Sequence, residues 1–226
     1  MKRIVIEPVT RVEGHGKVTI LLDEQSQVKQ ARLHIVEFRG FERFIQERPF
    51  WEIPVMVQRL CGICPVSHHL AAAKAMDRIV GGENLTATAE KMRLLMHHGQ
   101  FFQSHALHFF HLCSPDLLFG FDADPMVRNV IGVAAKYPEL AVQGVMMRKY
   151  GQEIIKATAG KKIHGTGAIP GGINKNLSIE ERDILLKDID QMLEWSRGAL
   201  KIAKDYTTEH LDNIADFGSF DSNHLS

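Results

Sequence analysis

Cys61-Gly62-Ile63-Cys64 is the stretch of this sequence with the most chemistry in it. Two thiolates at C-x-x-C spacing can grip one soft metal ion from a tight turn, because the intervening glycine lets the backbone fold back. Arg59 stands just before the pair, where a guanidinium favours the thiolate form. His68 follows Cys64 closely enough to donate a hydrogen bond to a ligating sulfur. Three readings stand side by side. A structural zinc site wants two further Cys or His ligands at a partner spacing, and these 226 residues hold no second C-x-x-C. A thioredoxin-like redox pair wants its turn after the strand of a βαβ unit, whereas the segment before Cys61 reads as helical. A bare C-x-x-C can also be a reduced, buried pair. On the residues alone the motif points to half of a metal site.

Histidine is the surprise of the composition, with 12 residues. His97, His98, His105, His108 and His111 fall within about 140° of one another on a helical wheel. Such a stripe suits a metal face or a proton wire. Phe101, Phe102, Phe109, Phe110, Leu94 and Leu112 surround it, however. The pattern therefore predicts a buried helix, apolar nearly all round, whose histidines hydrogen-bond to neighbouring helices. Cys113, in Leu112-Cys113-Ser114-Pro115, matches no ligand motif and reads as a buried thiol. Gly165-Thr166-Gly167 lacks the preceding strand and the third glycine of a dinucleotide fingerprint.

The elements that must position these residues follow from the pattern of apolar and turn-forming positions. Ile4 to Ile6, Val18 to Leu22 and Val28 to Val36 read as strands, the last two joined by a five-residue loop over 23–27. A short helix is expected over 41–46. From Trp51 the pattern is helical, with Pro54 in a first turn. Gly62 and Pro65 make 61–65 a turn, and Ser67 is placed to cap a helix over 68–80. Long helices are expected over 88–112 and 138–159. A Gly/Pro/Asn-rich loop spans 165–176, and Ser178 with Glu181 forms a capping box that opens a helix reaching towards Asp212. The expected fold class is α+β: a small N-terminal β-hairpin or sheet over 1–50, then a bundle of long helices over 51–226 that belongs to one larger domain.

Composition excludes several classes. The chain is 45% hydrophobic and 24% charged, as ordinary globular proteins are and disordered or fibrous ones are not. Lys+Arg and Asp+Glu number 27 each, which argues against a strongly basic nucleic-acid binder. No window approaches the roughly 18–20 apolar residues of a membrane helix. The opening residues lack the apolar stretch of a signal peptide. With 3 cysteines the chain is no disulfide scaffold, and a reducing, cytoplasmic setting is expected.

Arg59-Leu60-Cys61-Gly62-Ile63-Cys64-Pro65-Val66-Ser67-His68 resembles the N-terminal cysteine motif R-x-C-G-x-C-x-x-x-H of nickel–iron hydrogenase large subunits. Pro8-Val9-Thr10-Arg11-Val12-Glu13-Gly14-His15-Gly16 resembles the opening signature of that family, and Glu37-Phe38-Arg39-Gly40-Phe41-Glu42 its R-G-x-E signature. Ile163-His164-Gly165 through Pro170-Gly171-Gly172 resembles a downstream loop. Pro49-Phe50-Trp51-Glu52, the doubled His68-His69 and the Tyr-Gly-Gln-Glu core of 149–156 are similar to the soluble NAD-reducing, bidirectional branch. The family holds its metals with two C-x-x-C pairs. The second, which lies near the C-terminus of the family's chains, does not occur in these residues, so the sequence is expected to correspond to the N-terminal half of a large subunit.

The resemblance implies roles. Cys61 would be a terminal nickel thiolate, and Cys64 would bridge nickel and an iron carrying carbon monoxide and cyanide. His68 would donate a hydrogen bond to the bridging sulfur. Glu13 would take the proton released when H2 is split heterolytically, a task that needs a base. Glu42 would help bind magnesium, a hard ion that wants oxygen ligands. Against these stand plainer readings: Glu13 pairing with Arg11, Glu42 in a surface salt bridge, His68 merely opening a helix. His69, about 100° from His68 on a helix, reads as structural. The implied activity is reversible H2 oxidation coupled to NAD+ reduction, complete only with the second cysteine pair and partner subunits. Those partners would be a small iron–sulfur protein together with flavin- and NAD-binding diaphorase subunits, which would carry the NAD, FMN and iron–sulfur clusters. The alternatives are a deazaflavin-reducing or sulfur-reducing hydrogenase, or a non-catalytic hydrogenase-like subunit of the respiratory type. The last would be expected to lose its cysteines.

Overall fold

A computed structural model of the chain describes residues 1–37, 39–219, 221 and 223. It divides into two units, Met1–Pro49 and Phe50–Ser226. In the first, three antiparallel strands lie in the order β1 (Lys2–Ile6), β2 (Gly16–Leu22) and β3 (Val28–Ile35). Ile4 faces Ile20 across one ladder and Val18 faces Leu33 across the other. The expected β2–β3 hairpin forms, and its loop has a local cause. Asp23 Oδ1 accepts the N–H groups of Gln25 and Gln27, both at 2.9 Å, the side-chain turn that aspartate favours. A short helix α1 (Phe41–Phe44) closes the unit. Phe38, within the expected R-G-x-E signature, lies outside the described residues.

The second unit is helical. Its elements are α2 (Ile53–Val57), α3 (Pro65–Val80), α4 (Ala87–Leu107), α5 (Ser114–Phe119), α6 (Val130–Lys136), α7 (Pro138–Ala159), α8 (Ile179–Leu186), α9 (Ile189–Glu209) and α10 (Leu211–Ile214). A two-stranded hairpin, β4 (Ala168–Ile169) and β5 (Gly172–Ile173), forms within the Gly/Pro-rich loop after α7. The arrangement is the expected small sheet followed by long helices. Among the described residues no helix is long and apolar enough to cross a membrane.

The helix boundaries differ from expectation in three places. Helix α3 begins at Pro65, with Cys64 rather than Ser67 as its N-cap. Proline is suited to the first helical position, where its missing N–H has no intrahelical partner, and it starts the helix before Ser67 can cap it. Helix α4, capped by Thr86, gives way at His108 to a π-turn over His108–Cys113. The capping box of Ser178 and Glu181 forms, but its helix breaks at Lys187–Asp188 before α9.

The histidine stripe is not buried as expected. His98, His105 and His108 are exposed in this chain. His105 Nδ1 hydrogen-bonds its own helix at Phe101 O, 2.8 Å away, and the ring of His97 meets that of Phe101 edge-on at 4.1 Å. The face α4 buries is instead Met92, Met96, Gly99, Gln103 and Ala106, at the three- and four-residue spacing of one helical stripe. That stripe packs on α7. Close approach requires glycine there: a Cβ on Gly151 would lie 2.6 Å from Gln103 N and 2.7 Å from Gly99 O. One core cluster gathers Val66, Met96, Ile155 and Ala159, and a second Ala106, Phe110, Met147 and Met192.

Candidate metal centre

The cysteine turn lies between two helical segments that fix its ends. A single 3₁₀ turn, Gln58–Leu60, delivers Cys61 in an extended conformation (φ −144°, ψ 135°), and Cys64 caps α3. Cys61 is buried, and Cys64 and His68 are half-buried. The chain folds back on itself across the motif. Cys61 Sγ accepts the backbone N–H of Ile63 at 3.3 Å and that of Cys64 at 3.0 Å. Cys64 O accepts the N–H groups of Ser67 and His68, at 3.1 and 3.5 Å.

Two other segments hold this turn in place. From α4, Gln100 Nε2 and Gln103 Nε2 both donate to Ile63 O, at 3.0 and 2.6 Å. From the loop after α7, His164 Nε2 donates to Cys61 O at 3.3 Å. Arg59 Nη1 lies 3.2 Å from His164 Nδ1. A guanidinium can only donate, so Nδ1 accepts and the ring proton sits on Nε2, as the bond to Cys61 O requires. Arg59 thus reaches the turn through His164.

The loop that carries His164 is anchored by a buried polar network. Arg93 on α4 pairs with Asp77 on α3 through Nη1–Oδ2 at 2.6 Å and Nη2–Oδ1 at 3.1 Å. The same guanidinium donates to Ile169 O and Gly172 O, while Asp77 Oδ1 accepts Gly171 N–H at 2.7 Å. His69, one residue after His68, is 1% exposed. Its Nδ1 donates to Pro54 O at 2.8 Å and its Nε2 accepts Ala168 N–H at 3.1 Å. Burial lowers its pKa, which holds the ring neutral, the form both bonds need. His69 is therefore structural, as expected. It joins α2, α3 and β4.

The donor set present can be tested against a soft metal. Two sulfurs on one turn, one of them already serving as a hydrogen-bond acceptor from two backbone N–H groups, suit thiolate ligation. Among the described residues no group of three or more His, Cys, Asp or Glu side chains is arranged to hold an ion. The helical unit thus presents two sulfur donors on one turn, a pairing that fits a soft metal. Glu13 and Glu42 lie in the N-terminal unit. Glu13 is exposed in the bend after Arg11, and Glu42 is exposed in the first turn of α1. His15 Nδ1 and Glu37 Oε1 hydrogen-bond beside that bend. Cys113 is not the fully buried thiol expected. It is half-buried, and its Sγ lies 3.1 Å from His108 Nδ1.

Sequence reasoning missed Gln100, Gln103, Asp77 and Arg93. Their signal was available only as polar residues on faces that also carry Met92, Met96 and Ala73.

Comparison with known proteins gives a consistent result. A family model described as HoxL-like matches residues 3–38, and one described as nickel-dependent hydrogenase matches residues 39–126. The NAD-reducing hydrogenase HoxS subunit beta of Cupriavidus necator is 49% identical over 95% of this chain and 47% of its own length. One chain of the F420-non-reducing hydrogenase vhu of Methanocaldococcus jannaschii is 48% identical over 100% of this chain and 54% of its own. The chain spans about half the length of the curated relatives it matches. Among solved structures, an NAD+-reducing [NiFe]-hydrogenase in the H2-reduced state superposes with a TM-score of 0.93 at 63% identity, over 97% of this chain and 49% of that one. The Ni-Fe-Se hydrogenase of D. vulgaris Hildenborough superposes with a TM-score of 0.76 at 25% identity, over 93% of this chain and 45% of that one.

Proposed function

Because this chain belongs to the nickel-dependent hydrogenase family, we propose that Cys61 and Cys64 are two thiolate ligands of a nickel–iron centre in a hydrogenase whose electrons pass to NAD+. The observation that carries this reading is the geometry of the turn: both cysteines project from one folded-back segment, and Cys61 Sγ is held by N–H donors from Ile63 and Cys64. When bound, the centre supplies the two-electron chemistry that splits H2 into protons and electrons. Two further thiolates, from residues outside this sequence, would complete the coordination, with carbon monoxide and cyanide on the iron.

The chain's own residues then divide the remaining work. Cys64, at the N-cap of α3, would hold the centre as its second thiolate from this chain, and His68 in the next turn would donate a hydrogen bond to that sulfur. Glu13, on an exposed bend of the N-terminal unit, receives the proton at its carboxylate. Glu42, at the start of α1, would contribute a carboxylate oxygen to a magnesium ion. Electrons leave to iron–sulfur clusters of a small partner subunit, and NAD and FMN bind to further subunits. A cytoplasmic setting accords with thiolate chemistry that needs reduced cysteines.

The test is metal content in the assembled enzyme. Cys61→Ser and Cys64→Ser should each abolish nickel retention and H2 activity, because a hard hydroxyl is a poor ligand for soft nickel. Full nickel occupancy with activity in either variant would refute the assignment. A second reading keeps the same centre with a different electron acceptor. It is favoured by the archaeal relative named F420-non-reducing, which is almost as similar as the NAD-reducing one. H2-dependent reduction assays with NAD+ and other acceptors, run on the purified complex, separate the two.

A further inference from the structure

We propose that Gln100 and Gln103 are positioning residues that tune the Cys61 thiolate through the peptide group between Ile63 and Cys64. The proposal rests on the reading of Cys61 and Cys64 as nickel ligands. It adds two residues on a different helix to the machinery of that site.

Three observations carry it. Gln100 and Gln103 are 2% and 3% exposed, and they stand three apart on α4, on neighbouring positions of one helical face. Both aim their Nε2 at a single acceptor, Ile63 O, at 3.0 and 2.6 Å. Finally, Gln100 keeps this arrangement at a cost: its Oε1 is buried without a hydrogen-bond partner among the described residues. An acceptor such as Ile63 O requires the amide nitrogen to face it, so the side chain cannot turn over to satisfy Oε1 without giving up the bond to the cysteine turn. Buried polar groups are rarely left unmatched, and here the unmatched atom secures a second donor on one carbonyl.

The consequence runs through one peptide unit. Ile63 C=O and Cys64 N–H belong to the same amide. Two donors on the oxygen draw electron density towards it and make the N–H at the other end a stronger donor. That N–H is the closer of the two that reach Cys61 Sγ, at 3.0 Å. Hydrogen bonds to a metal-bound sulfur reduce its electron donation and shift the metal's potential upward. The paired amides on α4 therefore set both the orientation of the turn and the electron density on its first sulfur. Gly151 makes this possible, since its lack of a side chain lets α7 press α4 into place at Gln103.

The experiment uses the assembled hydrogenase with Gln100→Met, Gln103→Met and the double variant, methionine having similar length and no donor. Cys61→Ser serves as the separate control on nickel ligation. Nickel content, the nickel g values by electron paramagnetic resonance, and the midpoint of the nickel redox transition are measured. Amide hydrogen exchange at Cys64 is followed in enzyme with and without metal. The expected result is retained nickel, a midpoint shifted to more negative potential, with a larger shift in the double variant than in either single one, and faster exchange at the Cys64 amide. Retained nickel with unchanged midpoint and g values would overturn the proposal. Should the double variant fail to take up nickel, the metal-free protein decides. Exchange at Cys64 faster by about tenfold or more, with α4 itself still protected, supports the clamp, and unchanged Cys64 protection overturns it. Nickel retained in Cys61→Ser would instead overturn the underlying ligand assignment, while the exchange data still report on the clamp.

Discussion

Arg93 and Asp77 face each other across α3 and α4 as a two-pronged ion pair, with Nη1–Oδ2 at 2.6 Å and Nη2–Oδ1 at 3.1 Å. Both are buried, and between them they take up backbone groups of Ile169, Gly171 and Gly172. The pair is thus the fastening that holds the β4–β5 hairpin, and with it the loop from His164, against the helices. Removing one partner strands the other without compensation. Arg93→Met should cost about 3–5 kcal/mol, the range for breaking a buried pair. Urea unfolding of wild type and variant checks this, and a loss below about 1 kcal/mol would show that water replaces the guanidinium freely.

The same pair sets an acid limit. Burial pushes the Asp77 carboxyl up, but the Arg93 hydrogen bonds, the Gly171 N–H and the Arg93 charge together outweigh it and hold the pKa below the ordinary 3.8. A carboxyl lowered in the folded state contributes stability that is fully present above the unfolded value. That stability is lost as pH falls from about 3.8 through the folded value. Asp77→Asn should remove this part of the acid transition, leaving a shallower decline of melting temperature below pH 4.

His69 acts at higher pH and in a distinct way. Burial, as the largest cause, lowers its pKa from 6.5, helped by the charge of Arg93 and opposed by its two backbone hydrogen bonds. The folded protein binds this proton less readily than the unfolded chain does. Stability is therefore complete above 6.5, falls as pH drops below it, and levels off beneath the folded pKa. Melting temperature measured between pH 7.5 and about 5 should decline in wild type. His69→Gln should be less stable at every pH, because one amide cannot span Pro54 O and Ala168 N–H in the same geometry, but its curve should be flatter in this window. A wild-type curve as flat as the variant's would show that the ring is free to take up its proton.

The parts of the site that were legible in the sequence are those whose chemistry is local. Cys61, Cys64, Arg59 and His68 lie within one short stretch, so spacing alone announces a folded-back turn. The Ser178–Glu181 capping box and the Asp23 loop are likewise closed by neighbours in sequence. Gln100 and Gln103 were illegible because their partner, Ile63, is 37 and 40 residues away. A glutamine on a helix reads as a solvated residue until the tertiary fold supplies its acceptor. The histidine stripe was misread for a related reason. The phenylalanines beside it suggested burial, whereas the face α4 buries contains Gly99, Gln103 and Ala106, which carry little hydrophobic signal. Close helix packing selects small residues, and periodicity judged by hydrophobicity overlooks them.

Glu13 provides the most direct test of the proton route. Glu13→Gln nearly conserves shape, so the assembled enzyme should keep its fold and its nickel. It removes the proposed base, so H2/D+ exchange and turnover should both fall by about 10²-fold or more, the scale of a lost general base. Glu13→Asp keeps the carboxylate on a shorter arm and should recover part of the rate. Exchange at the wild-type rate in Glu13→Gln would reduce Glu13 to a structural residue of its bend.

Gly151 links the packing of the helices to the site itself. A methyl group there would meet Gln103 N at 2.6 Å, Gln103 Cβ at 2.7 Å and Gly99 O at 2.7 Å. Two of these are backbone atoms, which cannot rotate aside as the end of a side chain can. Gly151→Ala must therefore push α4 and α7 apart, and overpacking of this kind costs about 1–3 kcal/mol. The displacement falls on the turn of α4 that carries Gln103, whose amide sits 2.6 Å from Ile63 O. Loss of stability should consequently be accompanied by faster amide exchange at Cys64 and, with nickel retained, by a nickel midpoint at more negative potential. Gly198→Ala, on α9 with nothing among the described residues near its Cβ, makes the matched control and should leave both unchanged. An equal nickel midpoint and equal Cys64 exchange in the two variants, despite a lower melting temperature for Gly151→Ala, would mean that the helix pair and the cysteine turn are mechanically independent.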